Sequence, residues 1–205
     1  MSGTLRTTRT TESAISALYA NIRFAMAGCP IKTLVIASAN QGDGKSYVAE
    51  MLAGSIATSG KKVLLVDADF HDAGLTSRLA VNNAALAGII RGEQGLASVV
   101  VDADQSNMQL LGCEKGLAAA ADLLGSVAAK EAFAQMATAF DYVIFDTPAL
   151  DTYIDAAIVA SMADATILVA RAHSTQREAL AAATDQLGKA GANLVGTVLN
   201  DADER

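Results

Sequence analysis

The chain has 205 residues, 52% of them hydrophobic and 4% aromatic, and carries a formal net charge of −7. That length and apolar content suit one α/β domain whose core is filled by Ala, Leu, Val and Ile, because Trp is absent. The acidic balance argues against nucleic-acid binding, which needs a basic surface, and no apolar run approaches the ~18 residues of a membrane span.

Residues 1–11 are rich in Thr, Ser and Arg and read as a disordered segment ahead of a single domain over 12–205. The polar start MSGTLRTTRTTES lacks a signal-peptide pattern, so a cytoplasmic location is expected. From Glu12 a helical pattern begins, with Ile15, Leu18, Tyr19, Ile22 and Met26 forming an apolar stripe. Gly28-Cys29-Pro30 ends it. Cys29 and Cys113 are far apart in sequence and read as reduced thiols of core type.

Leu34-Val35-Ile36-Ala37 reads as a buried strand, followed by the turn Ser38 to Gly44 and a helix opened by Lys45-Ser46. This stretch is close to the phosphate-loop pattern G-x-x-x-x-G-K-[ST], with Ala39 at the first glycine position. Gly42 and Gly44 allow backbone N–H groups to turn inward around a polyphosphate, and the helix adds its positive N-terminal end. Gln41 through Tyr47 (Gln41, Gly42, Asp43, Gly44, Lys45, Ser46, Tyr47) are therefore the candidate nucleotide contacts. Lys45 is expected to reach the β- and γ-phosphates and Ser46 to ligate Mg²⁺.

The helix runs to about Thr58, and Ser59-Gly60-Lys61-Lys62 turns into a second buried strand, Val63–Val66, ending in Asp67-Ala68-Asp69. Residues 70–106 are less regular. Short helices are expected around Leu75–Leu79 and Ala84–Ile90, and a strand at Met108–Leu111. Leu117 to Phe140 is Ala-rich and helical with a break at Gly125-Ser126. Tyr142–Phe145 is a strand ending in Asp146-Thr147-Pro148, Ile154–Met162 a helix, and Thr166–Val169 a strand. A helix over Thr175–Ala190 and a strand over Leu194–Leu199 complete the chain. Strands alternating with helices predict a doubly wound, mainly parallel sheet with helices on both faces and the ligand at the strands' carboxyl ends.

Asp67, Asp69 and Asp146 all fall just past the ends of predicted parallel strands, hence on the edge that carries the phosphate loop. Magnesium takes one or two carboxylates, so Asp146 is the main metal candidate beside Ser46, and Asp67 can share the site. Asp69 can orient or deprotonate an attacking hydroxyl. Asp155 and Asp164 flank a helix and read as caps. His71 and His173 have no partners at metal-ligand spacing and read as loop histidines.

The segments QGDGKS, LLVDADF and YVIFDTPA together resemble the cytoplasmic kinase domain of the bacterial tyrosine kinases, the phosphate-loop kinases that regulate capsular and exopolysaccharide export. The similarity runs from about Glu12 to Asn200. It implies ATP and Mg²⁺ as ligands, Lys45, Ser46, Asp67, Asp69 and Asp146 as the phosphoryl-transfer set, and Asn200 near the adenine. It also implies a membrane-embedded polysaccharide co-polymerase or activator as partner, which would recruit the chain to the inner face of the membrane.

Departures from the family pattern are specific. Gln41 stands where the family has proline, and His71 where it has arginine. The family's Glu-x-x-Arg-x-x-Arg in the first helix is Glu12, Ile15 and Leu18 here. The only tyrosines are Tyr19, Tyr47, Tyr142 and Tyr153, so the terminal tyrosine cluster is absent from this sequence. Weak autophosphorylation is expected, with Tyr153 the available site. A monomer or homodimer is expected in place of a ring, because Ile15 and Leu18 cannot make the arginine contacts. Two further readings stand beside the kinase: a nucleotide-sensing interaction module, and a positioning or partitioning ATPase, which would carry a lysine at Asn40.

Overall fold

The computed structural model describes residues 9–25, 30–81 and 84–202. Gly28 and Cys29, expected at the end of the first helix, lie outside the described residues, as do residues 1–8. Arg9–Thr11, expected to be disordered, instead form the first turn of helix α1 (Arg9–Ala25). Glu12 lies in that same turn, where a negative charge complements the helix dipole.

The expected helices and strands then follow in order, together with a short helix over Leu96–Val99 and a two-residue strand over Val101–Asp102 that the sequence does not predict. They are β1 (Thr33–Ser38), α2 (Lys45–Thr58), β2 (Val63–Asp67), α3 (Gly74–Arg78), α4 (Leu86–Ile90), α5 (Leu96–Val99), β3 (Val101–Asp102) and β4 (Met108–Leu111). Beyond them come α6 (Ala120–Leu124), α7 (Val127–Ala139), β5 (Tyr142–Asp146), α8 (Asp155–Met162), β6 (Ala165–Arg171), α9 (Arg177–Lys189) and β7 (Leu194–Asn200). The strands form one seven-stranded sheet in the order β3-β4-β2-β5-β1-β6-β7. All neighbours are parallel except β3, which runs antiparallel to β4.

Strands β1, β2 and β5 are buried throughout, which is why they read as unbroken apolar runs. Their side chains alternate between two cores. Val35, Ala37, Leu64, Val66, Val143 and Phe145 face one, closed by α4, α7, α8 and α9. Leu34, Ile36, Val63, Leu65 and Ile144 face the other, closed by α2 with α1 packed on it. On α1, Ile15 and Ile22 are buried, and Leu18 and Tyr19 pack against the same core. Burying one such aliphatic side chain contributes roughly 1.5–3 kcal/mol, so the chain covers its own first-helix stripe.

Asp164 is not a helix cap. Its Oδ2 accepts hydrogen bonds from the backbone N–H groups of Lys32 and Thr33 and from the Thr33 hydroxyl, each at 2.8 Å. It therefore fixes the start of β1 against the start of β6, because α8 has already ended at Met162. Cys113 is a buried free thiol whose pKa burial pushes up, which suits a reduced core residue. Among the described residues no helix is long and apolar enough to cross a membrane.

Candidate nucleotide and phosphoryl-transfer site

The order of the central strands fixes the site. β1 leads into the phosphate loop, and its neighbour β5 ends in Asp146, in register with Ile36. β2 lies beyond β5, and Asp67 pairs in register with Asp146. Both aspartates therefore leave the sheet at the same edge as the loop.

Gly42 and Gly44 adopt left-handed backbone, with φ of 88° and 94°. Gly44 is also the N-cap of α2 and makes no side-chain cap, and no acidic residue lies in the first turn. The first N–H groups of α2 are thus left for an anion, with the helix dipole aligned to it. A Cβ on Gly44 would lie 2.0 Å from Asn200 Nδ2, so only glycine lets β7 close onto the loop. Asn200 Nδ2 donates to the Asp43 carbonyl at 3.0 Å.

Asp43 turns its side chain away from the loop's interior. Its carboxylate accepts from the Asn40 N–H at 2.8 Å and from the Thr175 hydroxyl at 2.7 Å, and it is 1% exposed. The Thr175 hydroxyl in turn accepts from the Arg171 N–H. This brace between the loop and the β6–α9 connection joins residues 132 positions apart. Asp43 contributes a backbone to the loop and a side chain to its rigidity. The Asn40 side chain donates to Asp151, which ties the loop's start to the segment after β5.

A cleft of about 520 Å³ opens over this loop. Its lining includes Gln41, Gly42, Gly44, Lys45, Ser46 and Tyr47 of the loop and helix start, and Asp69, His71 and Asp146 from beyond β2 and at the end of β5. Sequence reasoning placed most of these together. Besides Asp43, two candidates stand elsewhere. Asp67 is 1% exposed and sits behind the cleft wall, its Oδ2 accepting from both the N–H and hydroxyl of Thr76 at 2.7 Å. Its Oδ1 accepts from the Asp69 N–H at 3.1 Å. Asn200 lies on the outer side of the loop, against Gly44.

Asp69 Oδ1 accepts from the N–H groups of His71 and Asp72, each at 3.1 Å, which shapes the turn after β2. Asp146 is the electrostatic centre. Burial pushes its carboxyl up to about 7, the nearby Asp67 and Asp69 push the same way, and the Ser46 hydroxyl and Lys45 draw it down. Its Oδ1 is buried without a hydrogen-bond partner. An unpartnered buried carboxylate oxygen beside a hydroxyl and an ammonium suits a hard divalent cation. Among the described residues no three His, Cys, Asp or Glu side chains could hold a metal together. The donor set is therefore a sparse one, of the kind magnesium accepts when phosphate oxygens and water complete its shell. Asp67 is also pushed up, by burial first, against the pull of its Thr76 bonds.

Sequence reasoning missed His71 and Asp155 as partners. His71 Nε2 lies 3.3 Å from Asp155 Oδ1, and the His71 ring stacks on Tyr153 at 3.4 Å and 6°. Asp155 lies in the first turn of α8, and its Oδ1 reaches His71 of the cleft lining. The one signal in the sequence was the histidine standing where the resembled family has arginine.

A family model described as an AAA domain matches residues 31–191. The tyrosine-protein kinase YwqD of Bacillus subtilis (strain 168) is 33% identical over 181 residues, which is 88% of this chain and 76% of that protein. The tyrosine-protein kinase CpsD of Streptococcus agalactiae is 29% identical over 202 residues, 98% of this chain and 87% of that protein. The kinase domain of the Escherichia coli tyrosine kinase ETK superposes with a TM-score of 0.86 at 26% identity, covering 95% of this chain and 78% of that one.

Proposed function

The chain belongs to the AAA domain family and to the bacterial tyrosine-protein kinases, and on that footing we propose that it binds ATP with magnesium in the phosphate-loop cleft and transfers the terminal phosphoryl group to a protein tyrosine. The observation that carries this reading is the unpartnered, buried Asp146 oxygen set among Lys45, Ser46 and the carboxylates of the β2 exit. Ser46 and Asp146 are the metal-holding pair, and Asp67 supports them by its charge from behind while ordering the turn through Thr76. Magnesium, when bound there, neutralises charge that builds on the phosphate oxygens. Lys45 holds the phosphates as a point charge, and the loop N–H groups orient them. Asp69 keeps Oδ1 in its turn and has Oδ2 for the incoming hydroxyl. Asn200 marks the nucleoside side of the loop.

The resemblance to polysaccharide-regulating kinases adds a location and a partner. The chain acts in the cytoplasm, at the inner face of the membrane, with a membrane-embedded polysaccharide co-polymerase or activator. A second reading, a nucleotide-sensing module without transfer, is favoured by the tyrosines. Tyr142 is buried, Tyr19 and Tyr47 are half-buried, and Tyr153 is stacked on His71 at the cleft. The partitioning-ATPase reading is the weakest, because the position of its signature lysine is Asn40, which bonds Asp151 of its own chain.

Radiolabelled phosphate transfer from ATP, with and without a membrane-embedded polysaccharide co-polymerase, tests the proposal, with mass spectrometry locating any label. Label on the partner or on Tyr153 supports the kinase. ATP binding without label on any protein supports the sensor.

A further inference from the structure

We infer that His71 is a second phosphate-contacting group of the cleft, its Nδ1 meeting the terminal phosphate of ATP, with Asp155 as its positioning residue. This rests on the ATP reading above. Two contacts fix the imidazole. Nε2 lies 3.3 Å from Asp155 Oδ1, and the ring face lies on Tyr153 at 3.4 Å and 6°. The Asp155 side chain is 3% exposed and that of His71 is 26% exposed. The ring nitrogen is the polar partner that the structure gives this buried carboxylate oxygen. With Nε2–H directed at Asp155, Nδ1 is the ring nitrogen left for a ligand.

What His71 lines is the cleft, with Lys45, Asp69 and Asp146. Lys45 and His71 are the basic side chains among its lining residues. Sheet order says which part of a triphosphate His71 meets. β7, carrying Asn200 against Gly44, lies on one side of β1, and β2, carrying the turn with His71, lies on the other. A nucleotide laid from the Asn200 side across Lys45 therefore ends its phosphate chain at the β2 exit. Charge spreads over the outer oxygens of the transferring group, and a fixed hydrogen-bonding group there stabilises it more than the bound substrate. The Tyr153 ring keeps one face of the imidazole from water, which strengthens such a contact.

The test is calorimetric titration of ATP–Mg²⁺ and of ADP–Mg²⁺ into the wild type, His71→Gln, His71→Arg and Asp155→Asn. His71→Gln should lose about tenfold in ATP affinity and nothing in ADP affinity, as for one charge-assisted hydrogen bond. His71→Arg should keep the wild-type preference for ATP, and Asp155→Asn should fall between. An unchanged preference in His71→Gln, or equal losses for both nucleotides, overturns the assignment. An unchanged preference in Asp155→Asn removes Asp155 from it. A wild type that binds neither nucleotide overturns the ATP reading itself, so the two failures are distinct. Imidazole nitrogen NMR of the wild type gives a readout free of folding effects. The His71 Nδ1 signal should move with a non-hydrolysable ATP analogue and stay in place with ADP; no movement with either contradicts the contact.

Discussion

Asp146→Asn should make the nucleotide-free protein more stable at neutral and alkaline pH while removing its magnesium-dependent nucleotide binding. The Asp146 carboxyl is held at about 7, above its ordinary 3.8, chiefly by burial. A carboxyl raised in this way contributes fully to stability below its ordinary value, and the contribution is lost as pH rises through about 7. At pH 5 the group is about two pH units below its folded value, and at pH 8 it is ionised. The native state should therefore lose about 3 kcal/mol from this group between pH 5 and pH 8, at about 1.36 kcal/mol per unit. Asparagine has no such titration and leaves no buried charge. For a chain of this size the gap between variant and wild type should widen by about 5–10 °C in Tm over that range. Scanning calorimetry at pH 5, 6, 7 and 8, without nucleotide or metal, measures it. Asp67, also raised, is present in both proteins. Melting curves of the two proteins that stay parallel across the range would refute the account of Asp146 as a buried, uncompensated carboxylate. Adding ATP–Mg²⁺ at pH 8 should raise the wild-type Tm and leave the variant's unchanged.

Other expectations separate backbone, turnover and assembly. Gly42→Ala should cost about 1–2 kcal/mol in urea denaturation, for left-handed backbone alone, because nothing lies within 4 Å of its Cβ. Gly44→Ala should cost more, since its Cβ also drives Asn200 off the loop, and equal costs would contradict that packing. Asp69→Asn should lower turnover with little change in ATP affinity, as for a group acting in the transition state, and a matching loss of affinity in calorimetry would make it a structural turn residue only. Light scattering after size exclusion should give a monomer or homodimer with and without ATP–Mg²⁺, because α1 packs on α2 with Ile15 and Ile22 already buried; a stable hexamer or octamer would mean that other surfaces build a ring.

The sequence carried the frame of the site because that frame is local. β1, the loop and α2 are contiguous, and the strand runs ending at Asp67 and Asp146 are apolar on both faces. Period and punctuation locate such elements. β3 was invisible because two exposed residues, Val101 and Asp102, have no pattern of their own and owe their conformation to β4. The supporting contacts were invisible because they join distant residues. Asn200 reaches Asp43 across 157 positions, Thr175 reaches Asp43 across 132, and His71 reaches Asp155 across 84. Asp67 shows the limit most clearly. Its position after a strand was legible, but its retreat behind the cleft is set by Thr76, whose hydroxyl and N–H both capture one carboxylate oxygen.

The central claim is that Lys45, 8% exposed at the first turn of α2, holds the phosphates of ATP in this cleft. Calorimetric titration of ATP–Mg²⁺ into the wild type and Lys45→Met, with circular dichroism of both, tests it most directly. The account predicts one nucleotide per chain for the wild type, no detectable binding for Lys45→Met at the same concentrations, and superimposable spectra, since the ammonium is a point charge on phosphate and not a core element. Undiminished affinity in a folded Lys45→Met would contradict it.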